Sequence, residues 1–197
     1  DVTVLKHEDG RVTGVGGGDG MIDAERVVIA AGVGAEAILK SAGIELPMAN
    51  RFGVMLQSRP VARVLDHIIW GDRLHMKQQA DGRIVIGEVF SEGWTERDPG
   101  LIAEQMLAEA RRHLPEVDLV IEHVTIGLRP IPKDGMPVVG RAEGLDGLYV
   151  AVMHSGITLA PIVGRMAAEE MLDGIRFETL APYRLSRFAD TGTKAAS

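Results

Sequence analysis

Residues 147–172 read GLYVAVMHSGITLAPIVGRMAAEEML, a buried strand that runs straight into a helix. Between the two lie Met153, His154, Ser155, Gly156, Ile157 and Thr158. A junction this tight, built from glycine and small polar residues, turns backbone N–H groups outward. Such a turn can grip an anion or a carbonyl-rich ring. The two acids of MAAEEML are read as the wet face of the helix that follows.

Working outward, residues 2–6 and 11–15 alternate apolar and polar around HEDG, which predicts a hairpin. A glycine-rich turn, GGGDG, follows at 16–20, and residues 21–31 end in an apolar run typical of a buried parallel strand. Residues 32–43 predict a turn and a short helix that stops at Gly43, and ELPMANRFG reads as a linker. From about 53 to 90 the runs are short, β-rich and separated by turn residues, the pattern of an antiparallel meander. DPGLIAEQMLAEARRHLP, 98–115, is an amphipathic helix with Leu101, Ile102, Met106, Leu107, Ala110 and Leu114 on or near one face. Residues 117–128 return as a strand, and 129–147 form a loop-rich passage with three prolines. The tail LAPYRLSRF packs weakly by composition, and 189–197 is expected to be disordered.

This order predicts an α/β fold with an inserted antiparallel β sheet: a Rossmann-like nucleotide-binding domain interrupted by a substrate domain. The expected divisions are 1–47, 48–126 and 127–188. A net charge of −7 argues against nucleic acid or an anionic membrane as the main partner. No apolar run approaches the ~20 residues of a membrane span. With no cysteine, thiolate metal sites, cysteine nucleophiles and disulfides are excluded within these residues, and a cytoplasmic location is expected. The six histidines show no HxH or HExxH spacing, so no metal site is predicted.

Three stretches together carry a family resemblance. RVVIAAGVGAEAIL (26–39), GLRPIPKDGMPVVGR (127–141) and VMHSGITLAPIVGRMAAEEM (152–171) resemble, in order, three motifs of the glycine oxidase and D-amino-acid oxidase (DAO) family of flavoproteins. That family begins with a βαβ fingerprint, GxGxxG. GVGGGDG at 14–20 is not that fingerprint, because it follows a hairpin strand and no helix opens after it. The resemblance therefore implies the C-terminal half of such an enzyme, with FAD as cofactor and weak FAD binding by these residues alone.

The resemblance assigns roles to positions. Ala31 and Gly32 are expected to pack on the FAD pyrophosphate, where only small residues let the backbone approach; the plainer reading is a tight turn at a strand end. His154, Ser155, Gly156, Ile157, Thr158 and Leu159 are expected beside the flavin, with the helix N-terminus stabilising negative charge on the reduced ring. His154 is read as flavin-adjacent, and no catalytic side chain is assigned. Arg129 is expected to clamp a substrate carboxylate, which fixes the Cα–H for hydride transfer; the alternative is a surface arginine in a proline-rich loop. His75 either faces the substrate, with Lys77 on the same face, or lies on the solvent face of an edge strand.

The sequence also departs from the family. Arg51-Phe52-Gly53-Val54 stands where the oxidases often carry RGQ, and His154-Ser155-Gly156 lacks a second arginine of the glycine oxidase branch. Residues 53–60 and 73–88 look more like the β subunits of hydroxyproline or proline dehydrogenases. The resemblance thus implies oxidation of the Cα–N bond of an amino acid or secondary amine, with a partner subunit or a quinone as electron acceptor. The other readings are a sarcosine or N-alkyl amine oxidase and a non-catalytic scaffold subunit.

Overall fold

The computed structural model describes residues 1–89 and 98–192. They form two compact units, one from residues 1–50 and 129 onward, the other from 51–128. Among the described residues the architecture is mixed α/β, with three sheets and few helices.

The first unit opens with an antiparallel meander of β1 (Val2–Glu8), β2 (Arg11–Gly17) and β3 (Gly20–Asp23). The glycines of GVGGGDG lie in β2, in the turn after it and at the start of β3. A Cβ at Gly14 would stand 2.2 Å from the Ile22 carbonyl oxygen, so this glycine admits the neighbouring strand. The apolar run that ends 21–31 is the parallel strand expected, and the residues before it belong to β3. After β3 the polar residues Glu25 and Arg26 break the run, and the chain changes partner. β4 (Val27–Ile29) leaves the meander and pairs in parallel with β11 (Leu148–Val152).

β11 lies between β4 and β10 (Val138–Arg141). β10 falls inside the stretch expected to be a loop. Its proline and glycine neighbours hide a strand that pairs antiparallel with β11, Val138 opposite Val152 through Arg141 opposite Tyr149. The residues of β11 divide between two cores. Leu148, Val150 and Val152 pack with Ile29, the meander and α1 (Ala35–Lys40). Tyr149 and Met153 pack on the other side with Val139 and with α3 (Gly156–Leu172). A strand covered on both faces must be apolar throughout, which explains the unbroken run LYVAV.

The tail does not pack weakly. Residues Glu178–Tyr183 and Leu185–Gly192 form two 3-10 helices, and Leu180, Arg184 and Leu185 are buried. The last five residues, 193–197, lie outside the described residues, as does that part of the expected disordered tail. The Arg187 guanidinium donates to both carboxylate oxygens of Asp134, at 2.6 and 3.0 Å, and to the Met136 carbonyl. The tail thereby fastens the turn before β10.

The second unit is a five-stranded sheet in the order β6 (Ile69–Trp70), β7 (Leu74–Gln78), β8 (Arg83–Glu88), β5 (Met48–Pro60), β9 (Ile121–Pro132). β5 begins within the stretch read as a linker. α2 (Pro99–His113) starts as expected, with the Asp98 carboxylate accepting from the amides of Gly100 and Leu101. Its Ile102, Met106 and Ala110 meet Leu56, Met76 and Ile86 in a dry core. Leu101 does not join them and is 55% exposed. The Gln78 carboxamide donates to the carbonyls of Val61, Ala62 and Gly82 and accepts from the amides of Val64 and Leu65. That one side chain replaces the ladder a loop cannot make.

The Asp134–Arg187 pair gives a pH signature. The Arg187 hydrogen bonds hold the Asp134 carboxyl below its ordinary value of 3.8. A depressed carboxyl contributes stability that is complete above the unfolded value and is lost as pH falls through the folded one. Asp134→Asn is expected to lower Tm at pH 7 by about 2–4 °C, the effect of about 1 kcal/mol on a chain of this size. The gap to the parent protein should close as pH falls below 3.8 and through the depressed folded pKa of Asp134; thermal melts across pH measure it.

Candidate functional site

β4 and β11 run parallel in register, Val27 beside Leu148 and Ile29 beside Val150. Their C-terminal ends therefore open at one edge of the sheet. In open α/β sheets this edge is where ligands bind. Two turns leave it side by side: Ala30-Ala31-Gly32 after β4, and Met153-His154-Ser155 after β11.

At the first turn Gly32 has φ +57°, a left-handed conformation that a side chain disfavours. A 3-10 turn, Gly32–Gly34, follows and leads into α1. The nearest atoms to a Cβ built on Gly32 belong to Pro130, at 3.9 Å. This brings the Ala31-Gly32 turn beside the Arg129-Pro130 segment.

At the second turn Ser155 is the N-cap of α3, yet its side chain makes no capping hydrogen bond. Gly156, Ile157 and Thr158 are all exposed, Ile157 at 95%, and Leu159 is half-buried. No Asp or Glu sits in the first turn. The first amides of a helix have no intrahelical acceptor. Here an uncapped first turn carries the helix's partial positive charge into open space. A Cβ added at Gly156 would meet nothing within 4 Å.

His154 and Arg129 lie close enough to interact. Partial desolvation of the imidazole, the larger cause, and the Arg129 charge both press the His154 pKa below its ordinary 6.5. At neutral pH the imidazole is uncharged, and Arg129 supplies the positive charge here.

His75 belongs to the second unit. Along β7, Leu74 and Met76 are buried in the core under α2, while His75 and Lys77 point to the opposite face. The His75 ring stacks on Trp70, centroids 5.0 Å apart and planes 14° from parallel. Gly87, directly opposite on β8, leaves room for the ring: a Cβ there would stand 2.4 Å from Nε2. Trp70 is 71% exposed and was not singled out from the sequence. Its signal was available, since Trp70 and His75 pair across the β6–β7 hairpin.

The MAAEEML acids divide. Glu169 is on the outer face and pairs with Arg165 at 2.7 Å. Glu170 is not on the wet face: it is 1% exposed beneath the helix. The spacing of Leu159, Val163, Met166, Ala167 and Glu170 is one helical stripe, and that periodicity was the missed signal. Among the described residues no group of His, Asp and Glu could hold a metal ion, and no helix is long and apolar enough to cross a membrane.

With this geometry the comparisons agree on a class. The model of the family described as FAD dependent oxidoreductase (DAO) matches residues 1–170. The chain belongs to that family, and FAD is its cofactor. It is 32% identical to the glycine oxidase of Pseudomonas putida over 165 residues, covering 81% of this chain and 45% of that protein. Among solved structures it is similar to the glycine oxidase of Bacillus cereus, with TM-score 0.77 and 26% identity over 91% of this chain and 52% of that one. The L-proline dehydrogenase of P. horikoshii has the same fold, with TM-score 0.84 and 23% identity over 97% and 54%. The chain thus spans about half the length of the relatives it matches.

The approach of Arg129 to His154 is directly measurable. Arg129→Leu removes the positive charge and should raise the His154 pKa toward the ordinary histidine value. An NMR pH titration of the His154 ring reads the shift; an unmoved midpoint would separate the two side chains.

Proposed function

We propose that this chain forms the substrate-clamping and flavin-edge part of an FAD-dependent oxidoreductase that oxidises the Cα–N bond of an amino acid or secondary amine. The observation that carries the proposal is the convergence, at one sheet edge, of an uncapped helix N-terminus, a left-handed glycine turn and an arginine.

The donor set fits the cofactor. The open amides of the first turn of α3 suit the carbonyl-rich edge of a flavin ring, and the absence of acidic residues in that turn leaves its positive field uncancelled. Gly32, with nothing nearer than 3.9 Å to its missing Cβ, lets a backbone approach a diphosphate. When bound, FAD supplies the two-electron acceptor that no amino-acid side chain provides.

The chain's own residues have simple tasks. Arg129 binds the substrate carboxylate through a charge-assisted, two-pronged contact and so orients the Cα–H. The α3 amides hold the region where negative charge gathers, without reorganising. His154 stays neutral, so it adds no second charge to compete for the carboxylate. No side-chain base is assigned, because the substrate amine can release its proton on entry. The imine product is hydrolysed by water when it is acyclic. His75, on its Trp70 stack, is proposed to contact the substrate side chain. A partner subunit or a quinone is proposed as the electron acceptor, on the strength of the dehydrogenase-like stretches at 53–60 and 73–88.

Arg129→Leu in the holoenzyme tests the proposal. It should raise KM and lower kcat/KM for a carboxylate substrate roughly 10²-fold, the scale of one lost charge-assisted contact of about 3 kcal/mol. FAD content should not change. Unaltered kinetics would reduce Arg129 to a surface residue.

A further inference from the structure

α3 is a long helix with a thin seat. Of its residues only Ala167 and Glu170 are fully buried, and the stripe that touches the sheet ends on a charge where an apolar residue would be expected. Four donors converge on the Glu170 carboxylate. The Tyr149 hydroxyl donates from β11 at 2.9 Å, the Phe177 amide donates from beyond the helix at 3.0 Å, and Arg184 donates through Nη1 at 2.7 Å and through Nη2. Arg141 of β10 donates to the Glu170 carbonyl. Arg184 also donates to the Phe177 carbonyl at 3.3 Å.

Gly140 explains part of the motif quoted from 127–141. Its φ is +149°, and a Cβ there would stand 2.3 Å from Arg184 Nη1 and 2.7 Å from its Cδ. The glycine of PVVGR is therefore the space through which Arg184 reaches Glu170. A buried carboxylate is tolerated only when paired and fully bonded. Burial would raise the Glu170 pKa, but the Arg184, Phe177 and Tyr149 hydrogen bonds overcome this and hold it below the ordinary carboxyl range.

We infer that Glu170, held by Arg184 through the space left by Gly140, is a positioning residue that fixes α3 against the sheet and so sets where its N-terminal amides stand. The inference rests on the proposed role of those amides at the flavin. Glu170 lies fourteen residues from Gly156, about 21 Å along the axis. A rigid helix pinned near one end turns a small slip there into a displacement at the other. A purely apolar seat could slide by a fraction of a turn; a carboxylate with four fixed donors has one position.

The test uses the holoenzyme and reads FAD affinity and the two-electron potential of the bound flavin. Glu170→Gln keeps the shape and removes the charge, and Gly140→Ala displaces Arg184 without touching α3. Both should weaken FAD binding about tenfold and move the potential to more negative values. Glu169→Gln, on the outer face, should change neither. A folded Glu170→Gln holoenzyme with parental affinity and potential would overturn the inference, even if its Tm fell. Should that variant not fold, Gly140→Ala decides by the same two readouts. Ile157→Pro deletes one amide in the first turn, where proline is tolerated. If it leaves both readouts unchanged, the reading of the α3 N-terminus falls; if it changes both and Glu170→Gln changes neither, only the positioning role falls.

Discussion

Three rungs of parallel pairing between β4 and β11 organise the first unit. They join strands separated in sequence by the whole of the second unit. Parallel neighbours point their C-terminal ends the same way, so the turns that follow must open at one edge. Everything proposed for the site depends on that alignment. In an antiparallel pairing the Ala31-Gly32 turn and the uncapped start of α3 would sit at opposite edges. The apolar run of β11 sustains the pairing, because its two sets of side chains serve the two cores that sandwich the sheet.

Polar groups divide between two tasks in this unit. At the C-terminal edge of the parallel strands, hydrogen-bonding capacity is left open: the first turn of α3 has no cap, and Gly32 has no side chain to cover its turn. Beneath the C-terminal half of the same helix the reverse holds, and Glu170 is bonded by four donors. A helix can leave one end unsatisfied when the rest of it is firmly held. The open end carries the proposed chemistry, and the closed end supplies its rigidity.

Local sequence patterns exposed much of this and hid a particular part. The LYVAV run, the HSGIT junction and the Asp98-Pro99 start of α2 were legible because the signals lie within a few residues of one another. Ala31, Gly32 and Arg129 could be named as candidates only through the family resemblance, since nothing local links 31 to 129. β10 was hidden because prolines and a glycine mark loops, whereas Gly140 is required by an arginine more than forty residues away. The burial of Glu170 was misread for the same reason: a glutamate in a helix is exposed by default, and only Tyr149 and Arg184, both non-local, make its burial tolerable. Leu101 failed in the opposite sense, an apolar residue at the helix start that the core does not reach.

The central claim is that the first turn of α3 and the turn after β4 hold the same cofactor. Hydrogen–deuterium exchange of the protein with and without bound FAD tests it most directly. The account predicts that FAD slows exchange at the amides of 156–158 and of 31–32 together, while the exposed face of α2 is unaffected; the Leu159 amide, expected to face the flavin, instead donates to the Ser155 carbonyl at 2.9 Å. Slowed exchange elsewhere, with both turns unchanged, would contradict it.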